Sequence, residues 1–460
     1  MKNLLKDLIL VLIITIAVLI SYAWLQGKIK DFRPGEIYHF LRNEKTEDDV
    51  QEIEKEKENN MDKPVEKKLQ QEPYRAVWLS YLEFAAYQRS IDKNDEKHFR
   101  KFYQHILECC QESGITHIIV QVRPFGDALY ESKYYPWARC ISGQQGKSPG
   151  YDPLKIMVSL THKKKMKLEA WINPYRIAPN DDISQLSENN PARKWASEKK
   201  TSRNVLSYDD ILYYNPASKQ VRDLIIHGVE EIVSNYDVDG IHMDDYFYPS
   251  FTEENVSKDF DAKEYLAGIK KGNISQNMTI EEWRRYNINT LVAGIYRKIK
   301  SIDTTVTFGI SPSGNPENLR SNLSCYADID TWTSSEGYID YIMPQIYWGY
   351  SHESAAFASM LNEWKQLCRK SHVVLYTGLG LYRLGSTDEN QSDYKEMQSA
   401  DFIKKQIQEV TDDPEIWGYS LFSFEYLDIE DDTYHFDSEE FSAERKKLLK
   451  EVTDYLKNEK

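Results

Sequence analysis

Cysteine is scarce in this chain, positive charge is in deficit, and the glycine-rich turn of a nucleotide-binding fold is missing. The five cysteines stand at positions 109, 110, 140, 325 and 368. Their number is odd and no two are spaced Cys-x-x-Cys, so neither a disulfide framework nor a metal knuckle is readable, although a single long-range disulfide stays compatible with the count. Adjacent Cys109 and Cys110 fall in an expected helix and read as packing residues. Lys and Arg total 58 against 73 Asp and Glu, a formal charge of −15. Nucleic acid is therefore not an expected partner, because phosphate binding needs a basic surface. Repeats with periods of roughly 20–50 residues are absent, which excludes a solenoid or propeller array.

Aromatic residues are plentiful. They make up 13% of the chain, with 32 Tyr and 10 Trp, and hydrophobic residues reach 41%. That supports a sizeable core and leaves rings over for a binding cleft. A length of 460 residues suits one large barrel with accessory segments.

Leu8 to Leu25 is apolar except for Thr15 and Ser21, just long enough to cross a bilayer at about 20 residues per span. Lys2 and Lys6 precede it and Lys28, Lys30 and Arg33 follow, so the charge bias does not fix orientation. Ser21-Tyr22-Ala23 is a poor cleavage site and no lipobox cysteine follows, which favours a retained signal anchor over residues 1–27 rather than a cleaved signal peptide. Glu44 to Glu72 is rich in Glu and Lys with few large apolar residues; residues 28–72 read as a charged stalk. The expectation is a single-pass protein of the cell membrane whose bulk faces outward.

From Tyr74 onward short apolar segments alternate with amphipathic ones, the pattern of a parallel α/β sheet. Eight strands are expected, at Ala76–Ser80, His117–Arg123, Lys167–Asn173, Gly240–Asp244, Thr307–Pro312, Tyr341–Tyr347, Val373–Gly378 and Gly418–Phe424. Helices are expected at Lys97–Ser113, Pro153–Lys165, Lys219–Tyr236, Ile280–Ser301, Glu353–Cys368 and Ala400–Val410, with a last one at Ser442–Leu456. Eight such units make a (β/α)8 TIM barrel over residues 73–435, followed by a C-terminal helical segment, 436–460. An open doubly wound sheet is the alternative. It usually carries a glycine-rich phosphate turn after its first strand, and Leu79-Ser80-Tyr81-Leu82 is not one.

The segment Asp239-Gly-Ile-His-Met-Asp-Asp-Tyr-Phe-Tyr-Pro249 carries most of the chemistry. Side chains alternate along a strand, so Ile241 and Met243 share one face while His242, Asp244 and Tyr246 share the other. An acid, an imidazole and a phenol on one face need partners or a substrate. Other strand ends are polar too: Gln121-Val122-Arg123-Pro124-Phe125-Gly126-Asp127, Trp171-Ile172-Asn173-Pro174-Tyr175-Arg176, Pro344-Gln345-Ile346-Tyr347-Trp348 and Ser423-Phe424-Glu425-Tyr426. Each alone reads equally well as a structural strand end, but a barrel brings all of them to one rim.

These motifs, together with Arg75-Ala76-Val77-Trp78, Pro149-Gly150-Tyr151-Asp152-Pro153-Leu154 and Phe308-Gly309-Ile310-Ser311-Pro312, resemble the bacterial glycosyl-hydrolase-like family 10 of exported proteins. The resemblance runs from Tyr74 to about Leu427 and implies a TIM barrel that binds or cleaves a glycan. In chitinase-like barrels the fourth strand reads Asp-Gly-x-Asp-x-Asp-x-Glu; here His242 replaces the second acid, Asp244 matches the third and Tyr246 stands where the catalytic Glu would be. In amylase-like and α-galactosidase-like barrels the residue matching Asp244 is the nucleophile.

Glycoside hydrolysis needs two carboxyl groups, one protonated and one ionised. Asp244 is expected as nucleophile or base, with Asp245 orienting it or serving as acid and Glu425 as the other acid; Asp127 and Glu83 are weaker candidates. Arg123 is expected to pair with Asp127 or Asp244. Trp171, Tyr175, Tyr347 and Trp348 are candidate stacking rings, with core packing as the competing role. Asn173, Arg176, Gln345, His242 and Tyr246 complete the expected sugar contacts, His242 as an orienting residue. No metal and no cofactor are expected, because no His or Cys cluster accompanies His242 and Asp244. The expected partners are a glycan, peptidoglycan among the options, and the membrane through residues 8–25. The alternative function is a non-catalytic carbohydrate-binding barrel at the cell wall.

Overall fold

The structure, a computed structural model, describes residues 73–321, 323–369, 371–429, 435 and 441–458. The expected membrane segment and stalk lie outside the described residues. Among the described residues, no helix is long and apolar enough to cross a membrane.

The strands are β1 (Tyr74–Leu79), β2 (His117–Arg123), β3 (Lys167–Ile172), β4 (Gly240–Asp244), β5 (Thr307–Ser311), β6 (Tyr341–Ile342), β7 (Val374–Leu375 continued by Thr377–Leu379) and β8 (Gly418–Leu421). All neighbours pair in parallel. The two pieces of β7 flank Tyr376 and close the ring: Val374 is in register with Tyr341 of β6, and Gly378 with Ser420 of β8. Bonds from Tyr376 N–H to the Ile342 carbonyl and from Trp417 N–H to the Leu375 carbonyl bridge the join. Nine hydrogen-bonded segments thus make eight strands, and the open-sheet alternative falls away.

The outward residues of each strand, such as Val77, Leu79, Val120, Leu168, Ile241, Met243, Phe308 and Ile310, are buried against the helices. These are α1 (Tyr81–Ser90), α2 (Glu96–Glu112), α3 (Pro153–Lys163), α4 (Lys219–Asn235), α5 (Ile280–Ile302), α6 (Phe357–Cys368), α7 (Asp401–Asp412) and α8 (Ala443–Asn458). Their starts follow from side chains that satisfy orphan backbone donors: Asp95 caps α2, Asp152 followed by Pro153 opens α3, and Ser218 caps α4. Helix α6 starts at Phe357 rather than the expected Glu353. The amides of Gly349, Tyr350, Ser351 and Glu353 are already taken by Asp393, Glu396 and Ser392. A three-stranded antiparallel sheet, Arg176–Ala178, Val205–Tyr208 and Ile211–Tyr214, is inserted after β3 and was not expected. All five cysteines are free, so the long-range disulfide left open by the count is absent.

Inward residues fill the barrel in layers, and the lower layers are unusually polar. The hydroxyls of Tyr74 (2.7 Å) and Tyr341 both donate to the Glu169 carboxylate. His242 Nδ1 lies 2.7 Å from the Tyr341 hydroxyl and Trp78 Nε1 donates to His242 Nε2 at 3.2 Å. Since the indole can only donate, Nε2 is bare and the proton of a neutral His242 is on Nδ1. Gly309 makes room for this column: a Cβ there would lie 2.0 Å from the Tyr341 ring.

Candidate active site

The upper layer of the barrel is the expected rim. Asp244 ends β4 with 2% of its surface exposed. Trp171 Nε1 donates to its Oδ2 at 2.9 Å, Asn173 Nδ2 approaches the same oxygen at 3.5 Å, and the Tyr246 N–H reaches Oδ1 at 3.4 Å. Burial is the main force on its carboxyl and pushes the pKa up to about 7; the Trp171 hydrogen bond opposes this and the Asp245 charge adds to it. Asp245 is half-buried and accepts the Ser313 N–H at 2.8 Å. Burial raises it as well, to about 6, against the pull of that amide.

A second carboxyl pair stands on the opposite side of the mouth, since β4 and β8 lie diametrically across the ring. Ser80 closes β1 and caps α1; its N–H donates to Glu83 Oε2 at 3.0 Å, which makes a capping box. Glu83 is 1% exposed, and its Oε1 has no hydrogen-bond partner. Its pKa is pushed up to about 7, first by burial and then by the charge of Glu425, which sits in the turn after β8. The side chain expected as the second acid therefore has Glu83 for a neighbour, whereas the charged groups acting most on Asp244 are Asp245 and Arg176.

Around these carboxyls the mouth is lined by half-exposed rings. The Arg176 guanidinium lies between Tyr246, 5.1 Å away, and Phe125, 5.5 Å away, and Tyr81 meets Phe125 edge-on at 5.2 Å. Tyr246 is 53% exposed. Tyr347 stacks on Phe422 at 5.8 Å and meets Tyr382 edge-on at 5.6 Å. Gln345 holds the Ser311 carbonyl at 2.9 Å beside them. Tyr81, Phe125, Tyr382 and Phe422 were not among the expected contacts. Phe125 was legible in the polar run that ends β2, and Phe422 in the alternation from Gly418 through Ser420.

The structure brings Asp244, Asp245, Trp171, Asn173, Arg176, Tyr246, Gln345 and Tyr347 to this mouth and places the other expected contacts elsewhere. His242 is fully enclosed one layer below, spent on Trp78 and Tyr341, and burial lowers its pKa to about 3. It supports the floor and does not reach a sugar. Arg123 is buried over the Tyr135 ring at 4.8 Å and donates to the Pro174 carbonyl at 3.2 Å. It makes no ion pair with Asp244; its charge acts on Asp127. Asp127 is itself buried, with Oδ2 held by Gln145 at 2.9 Å. Tyr175 is enclosed and packs edge-on against Phe247. Trp348 packs outward with the helical core, near His352.

The loop after Asp245 is anchored by an ion pair between Arg284 and Asp261, both side chains fully enclosed. The Tyr248 hydroxyl joins it through Asp261 at 2.8 Å. This fixes the segment that presents Tyr246.

A parallel (β/α)8 barrel with paired acidic side chains and aromatic rings at its C-terminal mouth has the architecture of a glycosidase-like barrel. Residues 73–396 match the family described as glycosyl hydrolase-like 10, and the chain belongs to it. It is 36% identical over 354 residues to the glycosyl hydrolase YngK of Bacillus subtilis, covering 73% of this chain and 66% of that protein, just under two thirds of it. It is 33% identical over 380 residues to the glycosyl hydrolase DigH of Escherichia coli, covering 77% of this chain and 84% of that one. The glycoside hydrolase domain of PgaB (BpsB) from Bordetella bronchiseptica superposes with a TM-score of 0.52 at 10% identity over 79% of this chain and 97% of that domain, a likeness of fold.

Proposed function

We propose that the protein is a glycoside hydrolase held at the outer face of the cell membrane by residues 8–25, acting on a cell-wall or other polysaccharide through its strand-end carboxyls. The observation that carries this reading is Asp244: a carboxyl at the end of β4, nearly enclosed, held by Trp171 and raised to about 7 beside a second acid. A group so placed is poised for proton transfer or charge stabilisation at neutral pH. Burial raises both carboxyls of the pair, and the Ser313 amide favours the charged form of Asp245. Ionised Asp244 then faces the ring carbon as nucleophile or base, where developing positive charge on the sugar favours its anion. Glu425, beside Glu83 across the mouth, is the proposed acid that protonates the leaving oxygen, and water completes the hydrolysis by adding to the sugar carbon directly or by releasing the glycosyl-enzyme. Tyr246, Tyr347 and Phe422 offer flat apolar surface to sugar faces, with Arg176, Asn173 and Gln345 as hydroxyl partners.

A glycan panel that includes purified cell wall, incubated with residues 73–460 and read by mass spectrometry, tests the proposal. Chain shortening or released oligosaccharide supports it. Binding of several glycans with turnover of none replaces it with a carbohydrate-binding barrel.

A further inference from the structure

On the outer side of the barrel, away from the mouth, three different donor atoms converge. His105 and Cys109 lie one turn apart on the same face of α2, as i and i+4 must. Asp428, 323 residues beyond His105, enters from the segment that leaves β8. His105 Nε2 is 2.7 Å from Asp428 Oδ2, Cys109 Sγ is 3.7 Å from His105 Nε2, and Cys109 Sγ is 3.9 Å from Asp428 Oδ1. One ligand atom from each residue fits within 4.8 Å of the others.

We propose that His105, Cys109 and Asp428 bind a zinc-class divalent ion that ties α2 to the segment leaving β8. Tetrahedral zinc, with bonds of about 2.3 Å to sulfur and about 2.0–2.1 Å to nitrogen and oxygen, sets sulfur about 3.5 Å from each of the other two ligands and those two about 3.3 Å apart. Cys109 Sγ is near the first of these distances from His105 Nε2, while Asp428 turns Oδ2 to His105 and Oδ1 to Cys109. To admit the ion, the His105–Asp428 contact opens by roughly half an ångström and one carboxylate oxygen turns to face both partners. Thiolate, imidazole and carboxylate together select zinc or cobalt over calcium or magnesium, which prefer oxygen alone. Burial is graded across the three: Asp428 is 2% exposed, while His105 and Cys109 are half-buried. Cys110 points into the core and takes no part.

The competitor for this site is a proton. Asp428 holds the His105 imidazole above its usual range, so the ion must displace a proton there. The consequence of binding is mechanical. Asp428 follows the turn that carries Glu425, and its N–H bonds the Phe424 carbonyl at 3.3 Å. A metal staple there fixes the turn, and no step of hydrolysis passes through it.

The test uses the full-length protein in detergent, stripped with a chelator and kept reduced. Zinc titrated against a chromophoric competitor should bind one ion per chain. Cobalt should give a thiolate-to-metal charge-transfer band, and Tm should rise with zinc. Cys109→Ser should abolish the band and weaken zinc by about 100-fold or more, while Cys368→Ser should change neither. Unchanged apo Tm in Cys109→Ser shows that the fold survives. Failure of the wild type to bind zinc stoichiometrically overturns the proposal in favour of a His105–Asp428 ion pair only; wild-type affinity in Cys109→Ser overturns it by placing the ion elsewhere.

Discussion

At the scale of single residues, burial of the Asp244 carboxyl makes stability depend on pH. Its folded-state pKa of about 7 lies above the usual carboxyl value, so the folded protein holds the proton more tightly than the unfolded chain. Stability contributed by this group is full in acid and is lost as pH rises from about 4 to 7. Asp244→Asn should abolish hydrolysis and raise stability at neutral pH, on the order of 2 kcal/mol. The amide keeps the Trp171 partner but has no proton to lose. Urea melts at pH 5 and pH 7.5 check it: the gain should be larger at the higher pH. A variant with wild-type turnover on a confirmed substrate would exclude Asp244 from the chemistry. The pH profile of kcat/KM separates the roles, because a nucleophile or base gives activity rising through the upper macroscopic constant of the Asp244–Asp245 pair and an acid gives activity falling through it. The rings divide in the same way. Tyr347→Ala should weaken glycan binding by roughly 1–3 kcal/mol, whereas Trp348→Ala, whose ring faces the helices, should leave affinity alone. The reverse result in isothermal titration would move the cleft to the other side of that strand end.

At the scale of elements, alternation along a strand says which face a side chain takes and is silent about depth. His242 and Asp244 share the inner face of β4, as their spacing implied. Two residues of strand are about 7 Å, which separates an enclosed floor from a reactive mouth. That is why the inward face of Asp244 and His242 was legible, while the enclosure of His242 one layer below Asp244 was not. The strands themselves were legible because apolar residues on the outer face of each recur every second position and are buried against the helices. The inserted sheet was not: its strands are 3 and 4 residues long and sit in polar sequence, too short for a period to register. The Glu83–Glu425 pair was legible as two separate acids, but their adjacency depends on β8 closing against β1. The same holds for the Glu169 column, whose partners come from β1, β3, β4 and β6. Tyr341→Phe tests that column. It keeps the ring, leaves a hydrogen-bond position on His242 empty and removes one of the two phenols on Glu169. The expected loss is roughly 1–3 kcal/mol in urea unfolding, with KM for glycan unchanged because the mouth lies a layer above. A neutral variant would mean that the column is not a source of stability.

At the scale of the whole molecule, outward placement of the barrel is a proposal that rests on the segment before it. The described residues from 73 onward fold around one closed sheet with a polar, ring-lined mouth. The apolar stretch Leu8–Leu25 and the Glu- and Lys-rich residues after it read as anchor and stalk, and in that arrangement the mouth works outside, within reach of the wall. Orientation is the weakest link in the sequence, because lysines flank the apolar stretch on both sides and the charge rule does not choose. We propose that the apolar stretch acts as a signal anchor and exports the chain that follows it. Protease added to intact protoplasts should therefore remove residues 73–460 from an antibody-detected band while a cytoplasmic marker survives. A fragment in the membrane pellet that keeps an N-terminal tag shows that the anchor is retained, and release of the intact domain into the medium shows that it is cleaved. Protection of the domain until the membrane is permeabilised would place the mouth in the cytoplasm and remove cell-wall polymers as its substrate, while leaving the carboxyl chemistry of β4 to be tested on cytoplasmic glycans.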